Sequence, residues 1–250
     1  MIPIKEIQSA SSNLNNIILS TPLNLIDTYS NKYSSYVYVK REDLQVTRSF
    51  KIRGSFNKIS SLSLKEKQKG IVCSSAGNHA QGVSLSCNKL KIKGTVFMPN
   101  TTPSIKVKKV REFGGEFITI KLIGDSYDDC YKEAIGYCKK NKKTFIHPFD
   151  DEKVIAGQGS LAYEIFKELN DTIDYLFIPI GGGGLISGFI SVFKQLSPKT
   201  KIIGVEPTGA ASMHESLKNN KLIKLKQIDT FVDGAAVKKS GKIAFELCKK

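Results

Sequence analysis

Short apolar runs alternate with amphipathic segments along almost the whole chain. The runs have the length of β-strands, and the segments between them place apolar residues at helical spacing. This regular alternation predicts an α/β fold with open, mainly parallel sheets and helices on both faces. The predicted strands are residues 36–40, 71–75, 94–98, 116–120, 144–149, 175–180 and 201–206, and the predicted helices are residues 76–90, 102–114, 125–141, 156–169, 185–196 and 210–220.

Two polar breaks interrupt the alternation, LSLKEKQKG at 62–70 and HPFDDEK at 147–153. Polar clusters between periodic segments mark connections rather than strands or helices. We therefore expect the chain to pass between two domains at these breaks. A large domain is predicted to contain residues 1–68 and 148–250, and a small domain residues 69–147.

One uncharged stretch, residues 176–193, is as long as a membrane span. Pro179 and four consecutive glycines interrupt a continuous helix there. A buried strand, a glycine turn and a buried helix are expected instead. The N-terminal sequence MIPIKEIQSA also lacks the continuous apolar run of a signal peptide. These features predict a soluble protein with no membrane partner.

The composition changes this picture little, with 40% hydrophobic and 24% charged residues. The formal net charge of +15 suggests a nucleic-acid partner, but only four of the 38 basic residues are arginines. Proteins that bind a phosphate backbone typically cluster their basic residues and use arginine forks. The lysines here are scattered along the chain, so we expect no nucleic-acid partner.

Five cysteines without a C-x-x-C pair predict free thiols rather than disulfides or a zinc site. Free thiols are typical of the cytoplasm, which is the expected location. His79, His147 and His214 lack the spacing of zinc ligands, and each is interpreted as a capping or core residue. Glu42 and Asp43 are interpreted as structural partners of nearby basic groups, because adjacent residues in an extended segment point to opposite sides.

The sequence YLFIPIGGGGL joins an apolar strand to an apolar helix through the glycines at 181–184. Glycines let a ligand approach the backbone amides, and amides at a helix N-terminus bind anions. A tight strand-to-helix turn needs only one or two glycines, so four of them favour a phosphate cradle. The chain has no nucleoside-triphosphate or dinucleotide fingerprint, so the phosphate of a smaller molecule is expected.

The segment SSAGNHAQG, residues 74–82, follows a predicted strand and opens a helix. Its serine and asparagine side chains and its first-turn amides are suited to binding a carboxylate. Simple capping by Ser74 or Ser75 is the alternative. Capping requires only one of these polar residues, so the segment is a candidate carboxylate site.

The segment SFKIRG, residues 49–54, places Lys51 between Phe50 and Ile52. It is either the start of an ordinary amphipathic helix or an amine held in a pocket. A catalytic lysine must be uncharged part of the time, and apolar neighbours promote this by desolvation. Together with a phosphate cradle and a carboxylate site, such a lysine predicts a Schiff base to pyridoxal 5′-phosphate.

Six blocks stand in a fixed order along the chain: KREDLQVTRSFKIRGSFN, SSAGNHAQG, PFDDEKVIAGQGS, IPIGGGGL, GVEP and DGAAVK. In this order they resemble the threonine/serine dehydratase group of the fold-type-II pyridoxal-phosphate enzymes, most nearly the threonine ammonia-lyases. The resemblance covers the whole chain. It implies a two-domain, open twisted α/β fold like that of tryptophan synthase β, in which the small domain moves over the site when substrate binds.

The resemblance also implies roles for individual residues. Lys51 is expected to form the Schiff base. The residues expected to bind the cofactor are Phe50, Lys51, Asn78, Gly181, Gly182, Gly183, Gly184 and Leu185. The residues expected to receive the substrate carboxylate are Ser75, Ala76, Gly77 and His79.

The implied reaction converts L-threonine to 2-oxobutanoate and ammonia, the first step of isoleucine biosynthesis, and converts L-serine to pyruvate as a side activity. Lys51 is expected to remove the α-proton as general base. Serine racemases of this group have a serine at the position of Ala76, and alanine cannot transfer a proton, so elimination is expected here. No metal is expected at Glu206 of GVEP, because Ser212 stands where metal-binding relatives have an aspartate.

In the family, further strands and helices of the large domain follow DGAAVK, including a loop that contacts the pyridine nitrogen. This sequence has no such loop, so a C-terminally shortened chain is expected. The alternative to an active enzyme is an inactive or partner-dependent remnant of the same enzyme, and a serine racemase is a third interpretation. The full-length family implies a homo-oligomer, either a dimer or a tetramer.

Overall fold

The computed structural model describes residues 1–169 and 173–249, which alternate helices and strands along the chain. The helices are α1 (Ile4–Leu14), α2 (Asp27–Tyr33), α3 (Lys51–Ser60), α4 (Leu64–Lys69), α5 (Asn78–Leu90), α6 (Ser104–Gly114), α7 (Tyr127–Lys140), α8 (Glu152–Glu168), α9 (Gly184–Leu196), α10 (Ser212–Lys218) and α11 (Lys242–Cys248). The strands are β1 (Leu23–Leu25), β2 (Tyr38–Lys40), β3 (Ile71–Ser74), β4 (Gly94–Met98), β5 (Ile118–Leu122), β6 (Thr144–Phe145), β7 (Tyr175–Pro179) and β8 (Lys201–Val205). Short 3₁₀ helices lie at Glu42–Leu44, Gly115–Phe117 and Thr208–Ala210.

The strands of these residues form three sheets. The largest contains four parallel strands in the order β5-β4-β3-β6, and β7 pairs with β8 in parallel. β1 and β2 form a short antiparallel ribbon. Parallel pairing requires a crossover connection, and helices provide it here. The prediction of an α/β fold with mainly parallel sheets is confirmed.

Helices cover both faces of the four-stranded sheet. Ile71 and Cys73 of β3 face a core that includes Val83 of α5. Val72 of the same strand faces the other way, into a core that includes Ala134 of α7. A strand buried on both faces has no polar side to its pattern, which explains the continuous apolar run of β3.

A second, larger core lies between α1, α8, α9 and α11. Its buried members include Ile7, Ile155, Phe193 and Phe245. These residues come from before and after the segment 71–145 that supplies the four-stranded sheet. This distribution is compatible with the expected division at residues 69–147, which stays a prediction.

The predicted strand 144–149 is wrong in its last four residues, because β6 contains only its first two. Pro148 has no amide hydrogen to donate to a strand ladder. The Nδ1 atom of His147 accepts the backbone amides of Phe149 and Asp150, at 3.3 and 2.8 Å. A turn closed by a side chain therefore replaces the strand.

The apolar pattern does not predict α1 to α4 or α11. Two of these helices, α2 and α4, bury none of their residues, so no apolar stripe marks them. In α4 a capping box defines the start: Ser63 Oγ accepts the Glu66 amide, and the Glu66 carboxylate accepts the Ser63 amide. Helix α8 begins earlier than predicted because the Asp151 carboxylate caps its first turn.

The two acidic residues after β2 are structural partners, as expected. Glu42 binds the guanidinium of Arg53, with two contacts of 2.8 Å. Asp43 binds the guanidinium of Arg41 at 2.8 and 2.9 Å on the surface. The two carboxylates thus point to different partners, one inside the protein and one outside.

The uncharged stretch 176–193 contains β7, the glycine loop and α9, as expected. Among the described residues, no helix is long and apolar enough to cross a membrane. Helix α9 packs its apolar residues in the larger core together with Ile178 of β7. On the opposite side of the β7–β8 pair, Phe177 and Val205 are exposed.

Helices α3 and α8 cross in close contact through two glycines. A Cβ atom added to Gly157 would lie 2.5 Å from the carbonyl oxygen of Arg53 and 2.7 Å from the Cα of Gly54. Backbone atoms cannot rotate away as the end of a side chain can. The two glycines therefore set the distance between α8 and the helix that begins at Lys51.

Replacing Gly157 with alanine is expected to destabilise the fold by about 1–3 kcal/mol, because overpacking against backbone outweighs the higher helix propensity of alanine. Urea unfolding followed by circular dichroism measures the change. The matched control is Gly136→Ala in α7, where an added Cβ meets no atom within 4 Å. The control is expected to be more stable than the wild type by about 0.5–1 kcal/mol. Equal stability of the two variants would contradict the close crossing.

Candidate functional site

Residues 146–150 lie at the centre of the candidate site, because they contact all three segments that the sequence singles out. Two carbonyl oxygens of this turn accept hydrogen bonds from His79 and Lys51. The ring of Phe149 lies against Gly182, and its Cα and Cβ lie beside Gly184. The predicted lysine, carboxylate turn and glycine loop are therefore neighbours of one turn of the chain.

Lys51 is the first residue of α3, and its amine lies in a pocket. Its Nζ donates to the carbonyl oxygen of Pro148 at 3.1 Å and lies 5.3 Å from the centre of the Phe50 ring. Burial lowers the pKa of this amine from 10.5 to about 8. A substantial fraction is thus unprotonated near neutral pH, the state that a nucleophile or general base requires. Both interpretations of the segment hold, since Lys51 begins a helix and is also desolvated.

The turn between β3 and α5 carries the predicted carboxylate site. Ser75 Oγ accepts the Gly77 amide at 3.1 Å, which closes a small turn before the helix. Ser74 Oγ faces the thiol of Cys130 at 3.5 Å. No side chain caps α5, so neither serine takes the role that the capping alternative gave it. The exposed Asn78 begins α5, and the first amides of a helix have no acceptor within it.

The two histidines near Lys51 are neutral at physiological pH. Burial, and secondly the nearby charge of Lys51, lower the pKa of His79 to about 3. Its Nε2–H donates to the carbonyl oxygen of Ile146 at 3.0 Å. Burial also lowers the pKa of His147, although the nearby Asp150 opposes the shift. The two imidazoles therefore hold the turn in place and add no positive charge beside the lysine.

The glycines at 181–184 are required by packing as well as by any ligand. A Cβ at Gly182 would lie 2.1 Å from the Phe149 ring, and one at Gly183 would lie 2.4 Å from the Cβ of Ala244. Gly183 also has φ +90°, in the left-handed region that favours glycine. Close packing against Phe149 and Ala244 is therefore a second reason for glycines in this run, beside any ligand.

The same loop leaves the N-terminus of α9 without a side-chain cap. The first helical amides, at Gly184, Leu185 and Ile186, have no acceptor within the helix. The helix dipole adds a partial positive charge at this end. An anion such as a phosphate satisfies these amides without a competing side chain.

These groups together fit pyridoxal phosphate. Lys51 supplies a desolvated amine, the uncapped end of α9 suits a phosphate, and the uncapped end of α5 suits a carboxylate. The Phe50 ring beside the amine supplies an apolar surface for an aromatic ring. The site residues predicted from sequence thus occur around a single turn, and their individual roles stay predictions.

Sequence reasoning did not select His147, Phe149 or Asp150 as site residues. Asp150 accepts the amides of Lys242 and Ile243 at 3.0 and 2.9 Å, so it caps α11 beside the glycine loop. The block PFDDEKVIAGQGS contains two of these residues. The sequence identified this block as part of the family resemblance. It did not show which of its side chains contact the glycine loop.

Glu206 serves the backbone. Its carboxylate accepts the amides of Met213 and His214 at 2.9 and 2.7 Å, at the start of α10. Ser212 stands at the position where an aspartate is expected in metal-binding relatives, and its hydroxyl shares a hydrogen bond with the hydroxyl of Ser240. Within residues 1–169 and 173–249, no group of three or more histidine, cysteine, aspartate or glutamate side chains is arranged to hold a metal ion.

Comparison with known proteins identifies related sequences over nearly the whole chain. The family model described as pyridoxal-phosphate dependent enzyme matches residues 14–250. The chain is 54% identical over 249 residues to the biosynthetic L-threonine dehydratase IlvA of Halalkalibacterium halodurans, and 51% identical over 245 residues to that of Bacillus subtilis. These matches cover 100% and 98% of this chain but 60% and 58% of the relatives. The chain thus spans about three-fifths of the length of the curated relatives it matches.

Solved structures agree with the observed fold. The processed form of threonine deaminase isoform 2 from Solanum lycopersicum superposes with a TM-score of 0.91 at 42% identity, covering 98% of this chain and 72% of that chain. Maize serine racemase superposes with a TM-score of 0.93 at 28% identity, covering 99% of this chain and 74% of that chain.

The amine of Lys51 is expected to titrate near pH 8 in the protein without cofactor, because burial favours its neutral form. Pulse labelling with an acylating reagent at a series of pH values, with mass spectrometry of the peptides, measures the midpoint. The exposed Lys65 of α4 is the internal control for the reactivity of the reagent. Since both nearby histidines stay neutral above pH 7, the curve reports the lysine itself. A Lys51 midpoint at the ordinary lysine value of about 10.4 would contradict the pocket.

Proposed function

Because the chain belongs to the pyridoxal-phosphate dependent enzyme family, we propose that it acts as a threonine ammonia-lyase, converting L-threonine to 2-oxobutanoate and ammonia. The desolvated amine of Lys51 beside two uncapped helix N-termini is the observation that carries the proposal. The substrate is inferred from relatives at 54% and 51% identity that are named threonine dehydratases. Family membership confirms the expected cofactor, pyridoxal phosphate.

The proposed binding of the cofactor uses groups from three elements. Lys51 would hold its aldehyde carbon, Phe50 would pack beside its ring, and Asn78 would donate to its phenolic oxygen. The amides of the loop Gly181–Leu185 would bind its phosphate, favoured by the dipole of α9. When bound, pyridoxal phosphate supplies a conjugated ring that stabilises negative charge at the α-carbon of an amino acid.

Lys51 is proposed to move protons at its Nζ atom. With a pKa of about 8, the free amine accepts the α-proton of the substrate and becomes an ammonium. The ammonium can then return a proton to the departing β-hydroxyl, which leaves as water. The lysine ends in its starting protonation state, so one residue serves both steps of the elimination.

The substrate carboxylate is proposed to bind at the turn before α5. The amide of Ala76 and the first amides of α5, which begins without a side-chain cap, would donate to it, beside Ser75 and Gly77. The neutral His79 holds this turn to the carbonyl oxygen of Ile146. L-Serine has the same carboxylate and β-hydroxyl as threonine and lacks only a methyl group, so we propose it as a second substrate.

Residues 69–147 are proposed to move as a small domain when substrate binds. Two surface ion pairs connect them to a later segment: Lys106 with Asp233 at 2.5 Å and Lys224 with Asp128 at 2.9 Å. Exposed pairs of this kind contribute only about 0–1 kcal/mol, so they do not prevent movement. Assembly as a homo-oligomer and a cytoplasmic location complete the proposal.

The protein supplied with pyridoxal phosphate is expected to absorb visible light and to release 2-oxo acids from threonine and serine. Lys51→Ala is expected to lose the absorption band and to lower turnover by about 10²–10⁴-fold, because it removes both the amine and the general base. Lys65→Ala, which changes an exposed lysine of α4, is the matched control. Absorption spectra and a coupled 2-oxo acid assay provide the measurements.

The outcomes distinguish the proposed enzyme from the alternative of an inactive or partner-dependent chain. Absorption and turnover in the wild type and in Lys65→Ala, but not in Lys51→Ala, support the enzyme. A folded wild type with neither property favours the alternative. An unchanged absorption band in Lys51→Ala would show that another amine holds the cofactor.

Racemisation of serine is expected to be negligible beside elimination, because the methyl group of Ala76 cannot donate a proton on the second face of the substrate. Chiral chromatography after incubation with L-serine measures D-serine, and the coupled assay measures pyruvate. Ala76→Ser is the informative variant, in which D-serine is expected to rise relative to pyruvate. Accumulation of D-serine by the wild type at a rate near that of pyruvate would contradict the proposal.

A further inference from the structure

A buried ion network surrounds Arg53, two residues after Lys51 in α3. The guanidinium is fully buried. It binds Glu42 through Nε and Nη2, both at 2.8 Å, and Glu164 of α8 through Nη1 and Nη2, at 2.6 and 2.9 Å. A fifth contact joins Nη1 to the hydroxyl of Ser160 at 3.2 Å. Guanidinium has five N–H donors, so each donor has an acceptor.

The acceptors are themselves held in place. Glu42 also accepts the hydroxyl of Thr21 at 2.6 Å, which fixes one carboxylate oxygen. Glu164 lies 3.4 Å from the ammonium of Lys40, which also contacts Glu168 at 2.5 Å. Hydrogen bonds from Arg53 keep the pKa of Glu42 below its ordinary value in spite of burial. The network therefore joins the 3₁₀ turn after β2, α3 and α8 as one charged unit.

Residues two apart on a helix project about 200° from each other around the axis. Lys51 and Arg53 thus lie on nearly opposite sides of α3, one facing the site and the other facing α8. An arginine held by five contacts resists rotation of the helix about its axis. A rotation of about 10° would move an amine about 6 Å from the axis by about 1 Å, enough to cost up to about 100-fold in rate.

The close contact between the backbones of α3 and α8 sets the distance between the two helices but not the rotation of α3 about its own axis. The glycines Gly54 and Gly157 bring the two backbones together but provide no side chain to define orientation. The first turn of α3 has no side-chain cap either. The ion network supplies directional contacts at this crossing, together with the side chain of Asn57, which donates to the carbonyl oxygen of Lys153 in α8 at 2.8 Å.

We propose that Arg53 is a positioning residue, which through Glu42 and Glu164 sets the rotation of α3 and so holds Lys51 Nζ at the carbonyl oxygen of Pro148. This inference rests on the proposed function of Lys51. It assigns the buried network a role in aligning the amine, beyond its contribution to stability.

The test compares substitutions in the network with the same substitution in an exposed pair. Arg53→Lys keeps the charge but replaces five donors in a planar fork with three. Glu164→Gln keeps the size of the side chain and weakens one side of the network. Arg41→Lys is the matched control, because Arg41 makes a similar two-pronged contact to Asp43 on the surface.

The first readout is the labelling midpoint of Lys51 in the protein without cofactor. Loosening the helix is expected to hydrate the amine and raise its midpoint by about one pH unit, so that labelling at pH 8 falls about five-fold. The neutral His79 and His147 are the titratable groups that influence this amine, and they do not titrate between pH 7 and 10. In the loaded enzyme, kcat is expected to fall with little change in KM for threonine.

Circular dichroism and thermal melting first establish which variants are folded. A raised midpoint in a folded network variant, with Arg41→Lys like the wild type, supports the positioning role. A wild-type midpoint in the folded network variants overturns it. Loss of folding in both Arg53→Lys and Glu164→Gln also overturns it, since the network would then support the whole fold. Because labelling needs no cofactor, a wild type that binds none would refute the proposed function without affecting this measurement.

Discussion

The reversal of the chain at residues 146–150 is the constraint on which the candidate site depends. Pro148 and the imidazole of His147 end a strand after two residues and bend the backbone away from the ladder. The carbonyl oxygens freed by this turn accept hydrogen bonds from Lys51 and His79. Without the reversal, the lysine would have no acceptor and the carboxylate turn no anchor. A short local interaction therefore organises contacts between residues far apart in sequence.

The glycine loop shows that packing and ligand binding can require the same residues. Phe149 from the turn lies so close to Gly182 that a Cβ would collide with its ring, and Ala244 does the same at Gly183. The start of α9 also has no side-chain cap. Asp150, next to Phe149, caps α11. The turn at residues 146–150 thus packs against one side of the glycine loop. No side chain of the loop competes with an anion for the first amides of α9.

Charge is distributed in the site according to burial. Burial lowers the pKa of Lys51, whereas the buried Arg53 stays charged because two carboxylates surround it. The two histidines beside the lysine are neutral for the same reason of burial. Helix α3 therefore begins with Lys51, which can lose its proton, and continues with Arg53, which cannot. This difference suits a reactive amine on a rigid support.

The sequence by itself determined the order of strands and helices from β3 to α10, the mainly parallel sheets, and the three segments with the chemistry of an amine, a carboxylate site and a phosphate site. Apolar periodicity and glycine runs are local properties, so they can be recognised in the letters. Tertiary structure alone decided that His147, Phe149 and Asp150 join these segments, that the strand 144–149 stops early, and that Arg53 is saturated by Glu42 and Glu164. Such contacts link residues up to 111 positions apart. Their geometry follows from how helices and sheets pack, which no local pattern specifies.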